Sequence, residues 1–256
     1  MRSLVMTLTL PALLALPLTA QDFKWEGAIA AGKTLEVRGI NGRIHATGAT
    51  GREALVTATK HAEDDDPKDV EIKVVEHAGG VTICAIYPSR RSSRPNECRP
   101  GGGDHSMKDN DVSVDFEVRV PAGVNFEGST VNGDVRGESL PGDAELTTVN
   151  GDVDATAEGF VHATTVNGSI DVTLGRTPSD RALEFSTVNG GISVRLPAGL
   201  NADIEATTVN GDIESDFPIT MSGRMNPRSL RGRIGDGGRR IELTTVNGGI
   251  ALRRTR

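Results

Sequence analysis

A six-residue phrase, TTVNGD at Thr147, returns in near copies through the second half of the chain. It reads STVNGDV from Ser129, TTVNGDV from Thr147, TTVNGSI from Thr164, STVNGGI from Ser186, TTVNGDI from Thr207 and TTVNGGI from Thr244. Self-similarity at a short period marks a chain assembled from stacked copies of one unit, and it constrains the fold more than any other feature here. The repeated corners are Asn132 and Gly133, Asn150 and Gly151, Asn167 and Gly168, Asn189 and Gly190, Asn210 and Gly211, and Asn247 and Gly248. Successive asparagines are 18, 17, 22, 21 and 37 residues apart. The long last interval holds RSLRGRIGDGG (228–238), which reads as a degenerate turn of the same structure with Gly235 and Gly237 at its corners. RGINGRIHATG, with Asn41 in the motif position, reads as an earlier relative.

A period near 20 suits either a β-solenoid coil or a β-hairpin. Asn-Gly between apolar runs is a strong hairpin signal, and a two-residue turn would set Phe185 opposite Val194 and Leu183 opposite Leu196. The valine before each motif Asn argues the other way, because a hairpin would expose it in every copy. In a solenoid the valines of successive coils are expected to stack inside. Asn amides and Thr hydroxyls would then bond to their counterparts about 4.8 Å above, and the glycine would supply a positive φ at the corner. The expected fold is therefore all-β, a right-handed β-solenoid of about six to seven short coils with an N-terminal β-strand region. The alternative is an array of hairpins packed as a sandwich. Seven coils would make a rod on the order of 34 Å long. N-terminal strands are expected to cover one open end, and the tail LRRTR, with Arg253, Arg254 and Arg256, to blunt the other.

The rest of the chain agrees with an all-β reading. Val112, Val114, Phe116, Val118 and Val120 alternate with polar residues, as a half-buried strand requires. Val70–Val75 and Val81–Ile86 flank a turn at EHAGG, and 88–110 reads as a surface loop. Glycine is abundant (31 of 256) and aromatics make up only 3%, so the core is expected to use small and branched side chains. Residues 1–20 carry Arg2, an apolar run from Leu4 to Leu18 and a small Ala20, the pattern of a secretory signal peptide. The expected organisation is a signal peptide (1–20), an N-terminal β-strand region with a disulfide loop (21–120) and solenoid repeats (121–256), the last two forming one continuous domain. The mature chain is expected to be exported, to the periplasm or to the cell surface and beyond, with no transmembrane segment. In that setting the two cysteines, Cys84 and Cys98, are expected to pair and to contribute roughly 3 kcal/mol by closing a short loop.

Taken together, the repeated [ST]-T-V-N-G-[DGS]-[IV], the early RGINGRI, the paired VRVPAGVNF (from Val118) and VRLPAGLNA (from Val194), and the late GRIGDGG…LTTVNGGI resemble one bacterial family. It is a secreted family of β-strand-repeat domains of unknown function, classed among candidate adhesins and similar to GIN-domain head adhesins. The resemblance runs from about Val37 to Leu252. It implies a β-helical fold, an envelope or extracellular location and no established chemistry.

Candidate sites are few. Asp134, Asp152 and Asp212 follow the motif glycine, but the calcium-binding nonapeptide pattern is absent. Glu63–Asp66 with Asp69 lacks the alternating ligands of an EF-hand. His45, His61, His77, His105 and His162 show no metal-ligand spacing, and no nucleophile elbow or phosphate loop occurs. One Trp (Trp25) and one Tyr (Tyr87) offer little platform for a sugar-cleaving site. No catalytic, cofactor or metal residue is therefore assigned. Net charge is −7, which disfavours nucleic acid as a partner. Two basic stretches stand out: Arg90, Arg91, Arg94 and Arg99 in the cysteine loop, and Arg224, Arg228, Arg231, Arg233, Arg239 and Arg240 in the long last interval. The second is the candidate binding loop, suited to an acidic envelope glycan, lipopolysaccharide phosphates or an acidic protein. The function expected is a non-catalytic adhesin-like binding or structural module of the cell envelope. The alternatives are a β-helical polysaccharide-acting enzyme and an envelope-stress signalling accessory.

Overall fold

A computed structural model describes residues 23–90, 95–102, 107, 109–175, 181–221 and 226–255. The signal-peptide reading, Arg91, Arg94, His105, Arg224 and Arg256 fall outside the described residues.

The chain is a two-sided β-solenoid. Each coil runs along one sheet, turns, runs along the second sheet and returns, and in six of the coils the turn is a Thr-Val-Asn-Gly corner. Three coils come early: β2 (Thr34–Arg38) with β3 (Ile44–Ala49), β6 (Gly80–Ile86) with β7 (Ser113–Pro121), and β8 (Asn125–Ser129) with β9 (Val135–Leu140). Three regular ones follow: β10 (Ala144–Thr147) with β11 (Val153–Ala157), β12 (Val161–Thr164) with β13 (Ile170–Leu174), and β14 (Leu183–Ser186) with β15 (Ile192–Leu196). The last two are β16 (Ala202–Thr207) with β17 (Ile213–Ser215) and β20 (Arg239–Thr244) with β21 (Ile250–Arg254). The first strand of each coil joins an 11-stranded sheet, here sheet B, and the second joins a 10-stranded sheet, here sheet A. Both sheets draw strands from either side of residue 121.

Pairing between coils is parallel and in register, so equivalent residues stack. On the inner face of sheet A, Ile44, Val135, Val153, Ile170, Ile192, Ile250 and Ile213 form one row across the stack. On sheet B, Leu35, Phe126, Ala144 and Val161 form another. Branched side chains pack well on such a pleated surface, and most of these residues are fully buried. This is how a chain with few aromatics fills its core.

The coils do not stack in chain order. The β2/β3 coil lies between β6/β7 and β8/β9, and the final β20/β21 coil lies between β14/β15 and β16/β17. The tail therefore does not blunt an end: Arg253 and Arg254 belong to β21, which is flanked by β15 and β17. Nor is RSLRGRIGDGG a degenerate coil. It forms β19 (Ser229–Ile234), antiparallel to β16, and the turn that leads back into the stack. β18 (Ile219–Met221) pairs with β19, and the two cover the far edge of sheet B. The physical reason is that antiparallel hairpin strands can close an end, which a further parallel coil would only extend. At the near end, β4 (Glu53–His61) lies antiparallel on β7, β1 (Phe23–Ala28) on β4, and β5 (Glu71–His77) on β6. N-terminal strands thus cover this end.

The corners correct the valine expectation. Val149, Val166, Val188, Val209 and Val246 point outward and are 36–51% exposed, and Val131 is half-buried. The inward residue is the threonine one position earlier: Thr130, Thr148, Thr165, Thr187, Thr208 and Thr245 are buried. Each donates its hydroxyl to a corner-glycine carbonyl of the neighbouring coil, as in Thr148 to Gly133 O (2.8 Å), Thr165 to Gly151 O (2.9 Å) and Thr245 to Gly190 O (2.9 Å). A valine there would leave a buried acceptor without a donor.

Candidate binding surface

The asparagine corner is a continuous amide ladder. Seven side chains, in the spatial order Asn41, Asn132, Asn150, Asn167, Asn189, Asn247 and Asn210, are joined by six Nδ2–H···Oδ1 bonds of 2.8 Å. At one end Asn41 Nδ2 donates to Val112 O (3.4 Å). There the β6/β7 coil has no Asn-Gly corner. In its place the single Tyr87 hydroxyl proton is shared between Asn41 O (3.1 Å) and Val112 O (3.0 Å), and burial pushes its pKa up to about 12.

The corner glycines answer to space more than to conformation. A Cβ on Gly168 would sit 1.9 Å from Gly151 O, and a Cβ on Gly133, Gly151, Gly190, Gly211 or Gly248 would lie 1.9–2.2 Å from the next glycine carbonyl. Among the corner glycines, positive φ holds only at Gly42, Gly133 and Gly151. The expected left-handed corner is thus confined to one part of the stack, because the coils pack so closely that no side chain fits at any of these positions.

Outside this corner, sheet B carries rows in register. Ser129, Thr147, Thr164, Ser186, Thr244, Thr207 and Ser229 form a hydroxyl row. Two residues earlier, Glu36, Glu127, Glu145, His162, Glu184, Glu242 and Glu205 form a second row, ending on Arg231. The repeat is thus longer than its invariant part, E-x-[ST]-T-V-N-G, with His162 as the exception; this signal was present in the sequence. Like charges side by side on neighbouring strands repel. Burial, with the charges of Glu36 and Glu145, raises the Glu127 pKa above the ordinary carboxylate value. Cations hold the two ends of the row. Glu36 accepts from Arg38 Nη1 (2.8 Å), Thr82 Oγ1 (2.7 Å) and Gly101 N. Glu205 is paired with Arg231 and Arg240, and hydrogen bonding from Arg231 lowers its pKa. Glu127 and Glu145 make no ion pair among the described residues. On sheet A, by contrast, outward charges are matched across strands: Arg136 with Asp154 (3.0 Å), Arg195 with Asp171, and Arg253 with Glu214.

The other candidates resolve as follows. Cys84 and Cys98 form a disulfide, which draws 98–102 over the outer face of sheet B, where Gly101 N meets Glu36. Of the last-interval arginines, Arg231 and Arg233 stand on β19, Arg239 is buried, Arg240 bridges Glu205 and Glu242, and Arg228 is exposed. Arg231, Arg233, Arg239 and Arg240 are thus a strand surface rather than a loop, while Arg228 sits in the turn before β19. Asp152 Oδ1 accepts from Ser169 N (2.7 Å) and Asp134 Oδ1 from Asp152 N (2.9 Å), bonds that tie one coil to the next. Glu63, Asp64 and Asp65 donate their backbone N–H groups to Asp111, which lowers its pKa. His45 lies against Glu117 (2.9 Å) and Glu138 (3.3 Å). Among the described residues no three His, Cys, Asp or Glu side chains are grouped to hold a metal ion, and no helix is long and apolar enough to cross a membrane. A groove of about 940 Å³ lies on the outer face of sheet A and is lined in part by Thr47, Arg52, Glu53, Thr57, Glu117 and Arg119.

A two-sheeted parallel solenoid with an Asn-Gly corner and polar outer rows is the class that these features define. The chain belongs to the family described as Toastrack DUF4097, a domain of unknown function, which matches residues 102–253. Among solved structures it is similar to a candidate cell adhesion protein from Clostridium sporogenes (12% identity, TM-score 0.40, covering 91% of this chain and 99% of that one). It is also similar to a candidate adhesin from Bacteroides fragilis (12% identity, TM-score 0.36, covering 91% and 96%). No curated protein matches the sequence.

Proposed function

We propose that this chain is an exported, non-catalytic, adhesin-like binding module of the bacterial cell envelope, and that it engages an extended glycan along the corner strip of sheet B. The observation that carries this reading is the valine row. Thr, Asn and Gly recur because the stack needs their hydroxyl, amide and absent side chain. The valine recurs in all six copies although only Val131 packs against the core, the other five pointing outward and standing 36–51% exposed. A residue repeated without a structural task is best explained by what it touches from outside. Valine methyls between a hydroxyl row and an amide row match the amphipathic faces of a sugar chain, apolar C–H groups beside hydroxyls. From Val131 to Val209 the strip spans six coils, about 24 Å at the strand spacing.

The test is a binding screen of the exported chain against envelope polysaccharides, lipopolysaccharide and envelope protein fractions over a salt series. A Val149→Asp/Val166→Asp/Val188→Asp variant, folded by circular dichroism, serves as the strip knockout. Saturable polysaccharide binding that salt leaves intact and the knockout abolishes is the expected result. Binding that survives the knockout but fades with salt would move the site to Arg228, Arg231 and Arg233 and refute the strip. Turnover of any glycan would refute the non-catalytic reading.

A further inference from the structure

The two ends of the stack are finished differently. At the far end the edge strands β17 and β18 have three residues each. At the near end the edges are β1, with six residues, and β5, with seven, and neither strand contains a proline. A long regular edge strand is a template for pairing with another chain. Behind these edges the core is incompletely covered: Phe23 and Trp25 on β1, and Ile72 and Val74 on β5, are half-buried side chains packed against it. A cavity of about 320 Å³ opens here between Trp25, Gly27, Lys33, Glu76 and Val81.

From this we infer that the near end is a homodimer interface, in which β1 pairs antiparallel with β1 of a second copy about a two-fold axis at Trp25. The argument is self-complementarity. β1 reads FKWEGA, and its pairing with buried Ala54, Val56 and Ala58 turns Phe23, Trp25 and Gly27 inward and Lys24 and Glu26 outward. With Trp25 opposite Trp25 of the second copy, Lys24 faces Glu26 and Glu26 faces Lys24. Phe23 then lies across Gly27, where the Trp25 ring of the same copy stands in place of a side chain (Cζ2 2.7 Å from where a Cβ would sit), so that the aromatic rings of the two copies are neighbours on the inward face. Shifting the register by one residue on each strand, in either direction, sets Lys24 against Lys24 or Glu26 against Glu26. Within one copy Lys24 Nζ already lies 2.9 Å from Glu26 Oε2, so the dimer would close a ring of four alternating charges. Such an interface is isologous, as two-fold dimers require.

The test is sedimentation equilibrium on the exported full chain with charge-swapped edges. Lys24 and Glu26 are exposed, so the single variants keep the fold. The wild type is expected to dimerise. Lys24→Glu and Glu26→Lys should each weaken the dimer by about tenfold, since two attractive cross-strand pairs become repulsive. Lys24→Glu/Glu26→Lys restores opposite charges at both contacts and should recover wild-type association. A wild type that stays monomeric at every concentration overturns the proposal. So does a dimer indifferent to the single swaps, or one that the double swap fails to restore.

Discussion

Gly248 and Gly249 are neighbours in one copy of the motif, and the structure assigns them opposite tolerances. A Cβ on Gly248 would lie 2.0 Å from Gly190 O and 2.5 Å from its carbonyl carbon, whereas one on Gly249 would come no nearer than 3.4 Å to Asp212 O. Neither residue has a positive φ, so conformational freedom does not separate them. Gly248→Ala must therefore push two coils apart at the corner. Four hydrogen bonds cross that contact: Gly190 N to Asn247 O (2.9 Å), Asn247 Nδ2 to Asn189 Oδ1 (2.8 Å), Thr245 Oγ1 to Gly190 O (2.9 Å) and Asn247 N to Val188 O (2.8 Å). At about 1 kcal/mol net for each bond, losing or stretching them costs about 3–4 kcal/mol. Gly249→Ala meets only ordinary contact and should stay within about 0.5 kcal/mol of wild type. Urea unfolding followed by far-UV circular dichroism measures both. Equal stability of the two variants would refute the close-packing account of the corner and return the glycine to a purely conformational role.

Thr165→Val leaves Gly151 O buried without its donor and should cost about 1–3 kcal/mol, while Val166→Thr, on the exposed side of the same corner, should cost under about 0.5 kcal/mol in the same urea assay. Glu127 has a folded pKa above its unfolded value, so its charged form weakens the fold. That penalty is absent below the unfolded pKa and complete above the folded one. Glu127→Gln should accordingly stabilise the protein at pH 7, with the gain vanishing as the pH falls below the carboxylate range, as paired unfolding curves at pH 7 and pH 3.5 would show. Reducing Cys84–Cys98 should cost roughly 3 kcal/mol and free residues 98–102 from Glu36, detectable as faster hydrogen exchange at Gly101.

Much of this was legible in the sequence because a solenoid writes its period directly. The spacing of Asn132, Asn150, Asn167 and Asn189 is the coil length, and Asn41 was recognisable from RGINGRI alone. The inside of the corner was not legible. Hydropathy favours burying valine over threonine, but the space inside the turn is lined by carbonyls, and there a hydroxyl donor outweighs two methyl groups. The acidic row was written in plain sight at Glu127, Glu145, Glu184, Glu205 and Glu242, yet its meaning depends on register, which only stacking reveals. Stacking order was hidden altogether. The long interval before Asn247 marks where the chain leaves the stack and re-enters it one place earlier, and no local signal distinguishes that detour from an irregular coil.

The displaced β20/β21 coil is a keystone. In an ordinary solenoid each turn rests on the one made before it, so the rod grows from one end and can fray from the other. Here, among the described strands, β14/β15 and β16/β17 are each paired with β20/β21 and not with each other. The place for β20 and β21 has to be held open until those strands arrive, and both sheets become continuous in that single step. Once seated, β21 is gripped on both sides, and pulling it out must shear two ladders at once.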